Sequence, residues 1–129
     1  SQLRAGDTIA RYGGEEFVVL LPRSELHHSR QIAERIRRSI EDAQIEALSG
    51  QLLKVTVSIG VSMLADAPAS EPQAALAEAL VAAADQALYQ AKNGGRNRVL
   101  CADHAPALAA TTLSSARRGL RAVVRRFKR

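Results

Sequence analysis

Two adjacent glycines, Gly13 and Gly14, separate two runs of strand-forming residues and constrain the fold of this chain more than any other feature. The flanking runs, residues 7–12 and 17–21, are rich in β-branched, aromatic and aliphatic side chains. A Gly-Gly pair between such runs is a strong hairpin signal, because glycine readily adopts the positive φ angles of tight hairpin turns. The sequence therefore predicts two antiparallel strands joined at these glycines.

Two glutamates, Glu15 and Glu16, follow the glycines directly and are expected at or just past the turn. Glycines leave room for a ligand to approach the backbone closely. An exposed carboxylate repels a phosphate unless a hard divalent cation stands between them. The arrangement therefore favours a site for a metal and a nucleotide, with a solvated turn as the alternative.

A helix is predicted after the hairpin. Pro22 ends the second strand, and Ser24 or Ser29 is a candidate N-cap. Apolar residues then recur at helical spacing, namely Ile32, Ala33, Ile36, Ile40 and Ala43. The opposite face carries charged residues, as expected for a helix that lies on a sheet.

Three further elements complete the predicted fold. Residues 55–61 alternate between valine or isoleucine and small residues, which is a strand pattern. An alanine-rich helix is predicted over about 72–93, with Gly94 and Gly95 as its stop, and residues 98–101 form a last short strand. The element order predicts an α/β fold, an α+β sandwich in which a helix layer packs on a mixed sheet.

The composition fits one soluble domain. The chain has 129 residues, of which 47% are hydrophobic, enough to bury a core. The single cysteine, Cys101, excludes an internal disulfide and fits a reducing compartment. No apolar run approaches the ~20 residues that span a bilayer. We therefore expect a cytoplasmic domain.

The net charge of +5 belongs to the end of the sequence. Seven of the 18 basic residues lie after Ala116, and no acidic residue follows Asp103. The part before this basic tail is therefore not expected to bind nucleic acid. The tail, residues 103–129, is predicted as an amphipathic helix or a disordered end, and an anionic membrane, RNA or a protein partner is a candidate contact for it.

The turn is one of five segments that together resemble a known family. The others are residues 32–37, 55–61, 84–92 and 95–99, which read IAERIR, VTVSIGV, ADQALYQAK and GRNRV. In this order and spacing, the chain resembles the GGDEF family, the diguanylate cyclases, in its GGEEF variant. The resemblance implies a nucleotidyl-cyclase-like mixed sheet with packed helices.

The resemblance also implies that part of the family domain is missing. In the family, a strand and two helices precede the hairpin and supply an aspartate for the metal and two residues that read guanine. Because Ser1 is not an initiator methionine, we expect residues 1–102 to be the C-terminal part of a GGDEF domain cut from a longer protein, or a truncated copy. The missing strand is central in the family's sheet, so we expect exposed edges and poor stability of the fragment alone.

By resemblance, Gly13, Gly14, Glu15 and Glu16 are the catalytic residues. Glu15 is expected to bind Mg²⁺ or Mn²⁺ together with the missing aspartate, and Glu16 to position the metal and the attacking hydroxyl. Phosphoryl transfer needs charge neutralisation and in-line positioning, which such groups supply.

Five other charged residues match family motifs. Lys92 and Arg96 match a phosphate-binding pair, with favourable charge at a helix C-terminus as the alternative. Arg4 and Asp7 match the RxxD motif of an inhibitory site for cyclic di-GMP, to which Arg35 adds a second arginine. The alternative for Arg4 and Asp7 is a surface ion pair.

The resemblance thus predicts a nucleotidyltransferase of bacterial second-messenger signalling, which condenses two GTP molecules into cyclic di-GMP and pyrophosphate as a homodimer. The fragment alone is expected to be inactive. The alternatives are a non-catalytic cyclic di-GMP receptor, an inactive truncated copy, and a membrane-recruitment module driven by the tail. The parent protein is a candidate for membrane anchoring through a missing N-terminal region.

Overall fold

In the computed structural model, residues 3–64, 72–102 and 120–127 are described. Within them the chain forms seven strands and two helices. In chain order these are β1 (Thr8–Gly13), β2 (Glu16–Pro22), α1 (Leu26–Glu41), β3 (Ile45–Glu46), β4 (Leu52–Leu53), β5 (Val57–Ser62), α2 (Gln73–Asn93), β6 (Val99–Cys101) and β7 (Leu120–Phe127).

The predicted hairpin is confirmed. Strands β1 and β2 pair antiparallel, with Thr8 opposite Leu20 and Gly13 opposite Glu16. The register shifts between Arg11 and Gly13, just before the turn. The two-residue turn is Gly14 and Glu15, one residue later than the predicted turn at Gly13 and Gly14, because Gly13 still pairs with Glu16.

The main sheet is mixed, as predicted. Its strand order is β1-β2-β7-β5-β6. β5 and β6 are parallel, whereas β7 is antiparallel to both of its neighbours, β2 and β5. Strands β3 and β4 form a separate two-stranded sheet around a turn at Ser49 and Gly50.

The two helices lie on opposite faces of this sheet rather than in one layer. Because side chains alternate along a strand, Val19 and Leu21 share one face and Val18 and Leu20 share the other. The first pair packs in a cluster with Ile32 and Ala33 of α1, together with Val57, Ile59, Val61 and Val99. The second pair packs with Leu80 and Ala84 of α2. The centre of the sheet is therefore covered on both sides, whereas every residue of the edge strand β1 is exposed.

Strand β5 is buried along its whole length, and its small residues face α2. Gly60 lies directly under this helix, since a Cβ at this position would clash with the carbonyl oxygen of Ala84 and lie 2.5 Å from the backbone nitrogen of Leu88. Ser62 donates a hydrogen bond of 2.6 Å to the carbonyl oxygen of Leu80. The alternation in residues 55–61 thus reflects two covered faces, one with large and one with small residues.

The cap predicted for α1 is wrong. The N-cap is Glu25, and it makes no side-chain capping hydrogen bond. The Ser29 hydroxyl lies 3.0 Å from both the Ser24 hydroxyl and the Glu25 carbonyl oxygen, inside the first turn. The predicted C-terminal stop of α2 is confirmed at Gly94 and Gly95.

The tail differs from the sequence prediction where it is described. Residues 120–127 form strand β7 in the middle of the sheet, so the prediction of a helix or a disordered end is wrong for these eight residues. β7 also pairs the edges of β2 and β5 that were expected to be exposed. The rest of the predicted tail, residues 103–119 and 128–129, lies outside the described residues, as do residues 65–71.

Neither helix within the described ranges is long and apolar enough to cross a membrane.

Replacing Gly60 by alanine is expected to lower the free energy of unfolding by about 1–3 kcal/mol or more, the usual cost of overpacking. The added methyl group meets α2 backbone atoms, which cannot rotate away. Urea unfolding followed by circular dichroism measures the change. Gly13→Ala is the matched control, because a Cβ there meets nothing within 4 Å; equal effects of the two substitutions would contradict the close contact.

Candidate functional site at the hairpin turn

The turn between β1 and β2 is braced by an arginine. Gly14 has a φ of 25°, in the left-handed region that favours glycine. The Arg11 guanidinium donates two hydrogen bonds to the Gly14 carbonyl oxygen, at 3.0 Å from Nε and 2.8 Å from Nη2. This role of Arg11 was not predicted from the sequence, although its position just before the glycines places it within reach of the turn.

The two glutamates of the turn differ in exposure. Glu15 is exposed, whereas Glu16, the first residue of β2, is half-buried. A Cβ built at Gly13 or Gly14 would meet no atom within 4 Å, so the space beside the turn is open. The turn can therefore present two carboxylates to a ligand that approaches its backbone.

The topology brings the turn and the predicted phosphate-binding residues to one end of the sheet. β7 is antiparallel to both β2 and β5, so β2 and β5 run in the same direction, as does β6. α2 connects the end of β5 to the start of β6 and thus ends beside the starts of these strands. Glu15, Glu16, Lys92 and Arg96 therefore share this end, although β7 and β5 lie between the turn and β6.

The end of α2 exposes Arg96 beyond the helix. The backbone N–H of Gly94 donates to Gln90 O at 2.9 Å, and that of Arg96 to Ala91 O at 3.0 Å. Gly95 has a φ of 114° and Arg96 one of 63°, so the chain reverses sharply here. Lys92 is half-buried in the last turn, whereas Arg96 is exposed.

A hydrogen-bond network that the sequence analysis missed holds the loop after Arg96 against α1 and β5. Arg37 Nη1 donates to Asn97 Oδ1 at 2.7 Å, and Asn97 Nδ2 donates to Glu41 Oε1 at 2.6 Å. The Asn97 backbone N–H donates to the Ser58 hydroxyl at 3.1 Å. The asparagine after a Gly-Gly-Arg sequence was the available signal, because asparagine tolerates the positive φ, 45°, that it adopts here.

The same network sets the electrostatics around α1. Arg37 also pairs with Glu34 at 2.9 Å and with Glu41 at 2.7 Å. The hydrogen bond from Arg37, helped by Arg38, lowers the pKa of Glu34 despite its partial burial. Hydrogen bonds from Asn97 and then Arg37 lower the pKa of Glu41, and both glutamates raise the pKa of Arg37. Burial raises the pKa of Cys101, which fits an unreactive thiol.

The predicted product-binding residues lie on two elements. Arg4 and Asp7 form a turn just before β1, in which the Arg4 backbone N–H donates to Asp7 Oδ2 at 2.8 Å. The Asp7 N–H donates in return to Arg4 O at 3.1 Å. This contact thus runs through the backbone of Arg4, and the side chain of Arg4 is exposed. Arg35 lies on an exposed face of α1.

Among residues 3–64, 72–102 and 120–127, no group of three or more His, Cys, Asp or Glu side chains is placed to hold a metal ion. The turn supplies two adjacent carboxylates. Oxygen donors of this kind suit Mg²⁺, which usually takes one or two protein carboxylates and fills its other positions with water and phosphate oxygens. The donors at the turn therefore fit part of a Mg²⁺ site.

Comparison with known proteins decides the family. The family model described as "Diguanylate cyclase, GGDEF domain" matches residues 1–98. The chain belongs to the GGDEF family. It is 45% identical over 96 residues to Diguanylate cyclase A of Treponema denticola, an alignment that covers 74% of this chain and 24% of that protein. It is 44% identical over 104 residues to the response regulator PleD of Caulobacter vibrioides, covering 78% of this chain and 21% of PleD.

A third relative, Diguanylate cyclase DgcP of Pseudomonas aeruginosa, is 43% identical over 98 residues, covering 76% of this chain and 13% of that protein. The chain therefore spans about a quarter or less of the length of these relatives. All the predicted site residues, from Arg4 to Arg96, lie inside the part that matches the GGDEF family. β6 and β7 lie beyond it.

Replacing Asn97 by alanine is expected to lower the free energy of unfolding by about 1–3 kcal/mol, from lost hydrogen bonds and from roughly 1–2 kcal/mol of left-handed backbone strain. Asn97→Gly removes the same side-chain bonds without the strain. Urea unfolding of both variants separates the two causes. A stable Asn97→Ala variant would show that the network does not hold this loop.

Acid is expected to destabilise the protein partly through Glu34. Its folded pKa is lowered by Arg37, so its contribution is fully present above the ordinary glutamate pKa and is lost as the pH falls through the lowered folded value. The unfolding midpoint in urea, measured from about pH 6 to about pH 3, should therefore fall less steeply for Glu34→Gln than for the wild type. Glu78→Gln, on the exposed side of α2, is the control and should keep the wild-type slope.

Proposed function

We propose that this GGDEF domain belongs to a diguanylate cyclase that condenses two GTP molecules into cyclic di-GMP and pyrophosphate. The observation that carries the proposal is the pair of carboxylates, Glu15 and Glu16, at the open hairpin turn, at the sheet end where α2 also ends with Lys92 and Arg96. Carboxylates suit a divalent cation and basic side chains suit phosphate, so together they suit a metal-bound nucleoside triphosphate. The names of two relatives, which state diguanylate cyclase activity, support the same reaction.

Each residue of the site has a distinct role in this proposal. Glu15 would hold Mg²⁺ or Mn²⁺, and the bound metal would neutralise charge on the phosphates. Glu16, fixed as the first residue of β2, positions the attacking 3′-hydroxyl. Gly13 and Gly14 admit the triphosphate close to the backbone, and Arg11 keeps the turn in shape through its bonds to Gly14.

Lys92 and Arg96 bind the phosphates from the same end of the sheet as the turn, on the other side of β7 and β5. Lys92 is anchored in the last turn of α2, and Arg96 extends from the loop that the Asn97 network holds. A loop that is already rigid loses less conformational entropy when its arginine binds a phosphate. Asn97, Arg37 and Glu41 are therefore positioning residues for Arg96.

Because one domain holds one GTP, the reaction requires two domains that face each other in a homodimer. Each 3′-hydroxyl attacks the α-phosphate of the GTP in the other domain, and pyrophosphate leaves. The chain covers a minor part of its relatives, so we assign this activity to a longer form and expect the isolated chain to be inactive. GTP supply and a reduced Cys101 both fit the cytoplasm.

A second candidate function is cyclic di-GMP reception at the turn before β1. The backbone of Arg4 and the carboxylate of Asp7 order this turn, and the exposed Arg4 side chain can make bidentate contacts to a phosphate or a guanine edge. Arg35 supplies the second arginine. The same site would give product inhibition in an active cyclase.

The test is cyclic di-GMP formation from GTP and Mg²⁺ by a form lengthened ahead of Ser1 by one strand and two helices. Glu16→Gln is expected to lower the rate by at least about 100-fold, the lower end of what a positioned acid–base group contributes. Circular dichroism confirms folding, and Glu46→Gln, an exposed glutamate on β3, is the matched control that keeps the rate.

The cyclase proposal would be refuted if the Glu16→Gln variant formed cyclic di-GMP at the wild-type rate, or if the folded longer form made no product. In the second case, cyclic di-GMP binding measured by calorimetry would select the receptor function. Arg4→Ala is expected to abolish that binding, and unchanged binding would refute the site at Arg4 and Asp7.

A further inference from the structure

The large apolar side chains that the protein leaves exposed gather at one end of the main sheet. Within the described residues they are Ile9, Tyr12, Ile45, Leu48, Leu52 and Tyr89. Tyr12 comes just before the hairpin turn, and Tyr89 lies in the last turns of α2. Three others belong to the small β3–β4 hairpin, residues 45–53. Single exposed apolar residues are ordinary, whereas a group of them marks an interaction surface.

The β3–β4 hairpin stands at the same end of the sheet as the turn, Lys92 and Arg96. α1 starts after β2 ends and finishes before β5 begins, so its last residue, Glu41, lies at the end where β2 and β5 start. Three-residue connections join the hairpin to α1 and to β5, and each can span at most about 14 Å. Glu41 also accepts a hydrogen bond from Asn97, the neighbour of Arg96. Five of the six exposed apolar side chains therefore lie at this end, and only Ile9 does not.

The tip of the hairpin holds Leu48 on an ordered turn. The Ala47 N–H donates to Gln51 O and the Gly50 N–H donates to Ala47 O, both at 2.8 Å. Leu48 is fully exposed and Leu52 is 63% exposed. Within the described residues, the hairpin has few contacts with any other helix or strand. The two leucines are therefore presented to a surface outside the domain, at little entropic cost because the turn is already fixed.

Little charge accompanies these apolar side chains. Glu46 is the one charged residue among residues 45–53. Its carboxylate lies along the hairpin's own turn, because a Cβ at Gly50 would be 3.8 Å from Glu46 Oε1. The centres of protein–protein interfaces are depleted of charge and enriched in aromatic residues such as tyrosine. Leu48 and Leu52, with tyrosines at the same end of the sheet, fit such a centre.

We propose that the β3–β4 hairpin binds a second copy of this chain, and that Leu48 and Leu52 of each copy pack against the other domain when the two sites meet. The inference rests on the proposed function, in which the site is incomplete until a second domain faces it at this end of the sheet. Under twofold symmetry, both copies use the same surface. A stable interface takes about 20–30 residues from each partner, and the hairpin has nine, so the contact alone is weak and the domain dimer is transient.

The test measures the cyclase rate of the longer form at a series of enzyme concentrations, with the double substitution Leu48→Ser and Leu52→Ser. If a transient dimer is the active species, the rate per enzyme molecule falls as the enzyme is diluted. The variant is expected to need at least about tenfold more enzyme for half of the maximal specific rate, since burial of one leucine contributes about that factor or more. Mass action restores the dimer at high concentration, so the specific rate is expected to recover there.

Glu46→Gln is the matched control on the same hairpin and is expected to keep the wild-type concentration dependence, because its carboxylate lies against the hairpin itself. Circular dichroism checks that all forms are folded. A double variant with the wild-type dependence, or one whose rate falls by the same factor at every concentration, would remove the hairpin from the contact and leave the cyclase proposal standing. If the folded wild type makes no product at any concentration, the cyclase proposal fails and the inference fails with it.

Discussion

The close contact between α2 and β5 at Gly60 positions most of the structure. The helix backbone lies on the strand because Gly60 has no side chain there, and the Ser62 hydroxyl bonds the helix at Leu80. These two contacts fix α2 along the sheet, so its C-terminal end falls beside the starts of β2, β5 and β6. The turn carboxylates and the basic residues at Lys92 and Arg96 share one end of the sheet as a consequence.

Local signals predicted the elements but not how they pack. Residues 55–61 alternate clearly enough to predict a strand, yet the pattern does not say that the small residues face a helix. Arg37 has charged neighbours on α1 and reads as a solvated residue, but its side chain is only 12% exposed. Its partner Asn97 is distant in sequence and is brought near by the folded loop, which no local pattern encodes.

The tail also shows that local sequence patterns do not determine the structure. Its apolar residues between Leu113 and Phe127 fit a helical stripe, while Val123 and Val124 also suit a strand. Pairing with β2 and β5 decides between these, and that pairing joins residues that are about 100 positions apart in sequence for β2 and about 60–70 for β5. The site was easier to predict, because the turn, the carboxylates and the helix stop are each set by neighbouring residues. The cyclase and product-site roles of those residues stay predictions.

The position of β7 has a consequence for how the protein is made. The hairpin β1–β2 and the β5–α2–β6 unit form from local contacts, whereas the sheet that joins them needs a strand synthesised much later. Such long-range pairing slows folding, and synthesis proceeds at about 5–20 residues per second. The edges of β2 and β5 would therefore remain unpaired by β7 for seconds after they are synthesised, the time needed to make the residues in between.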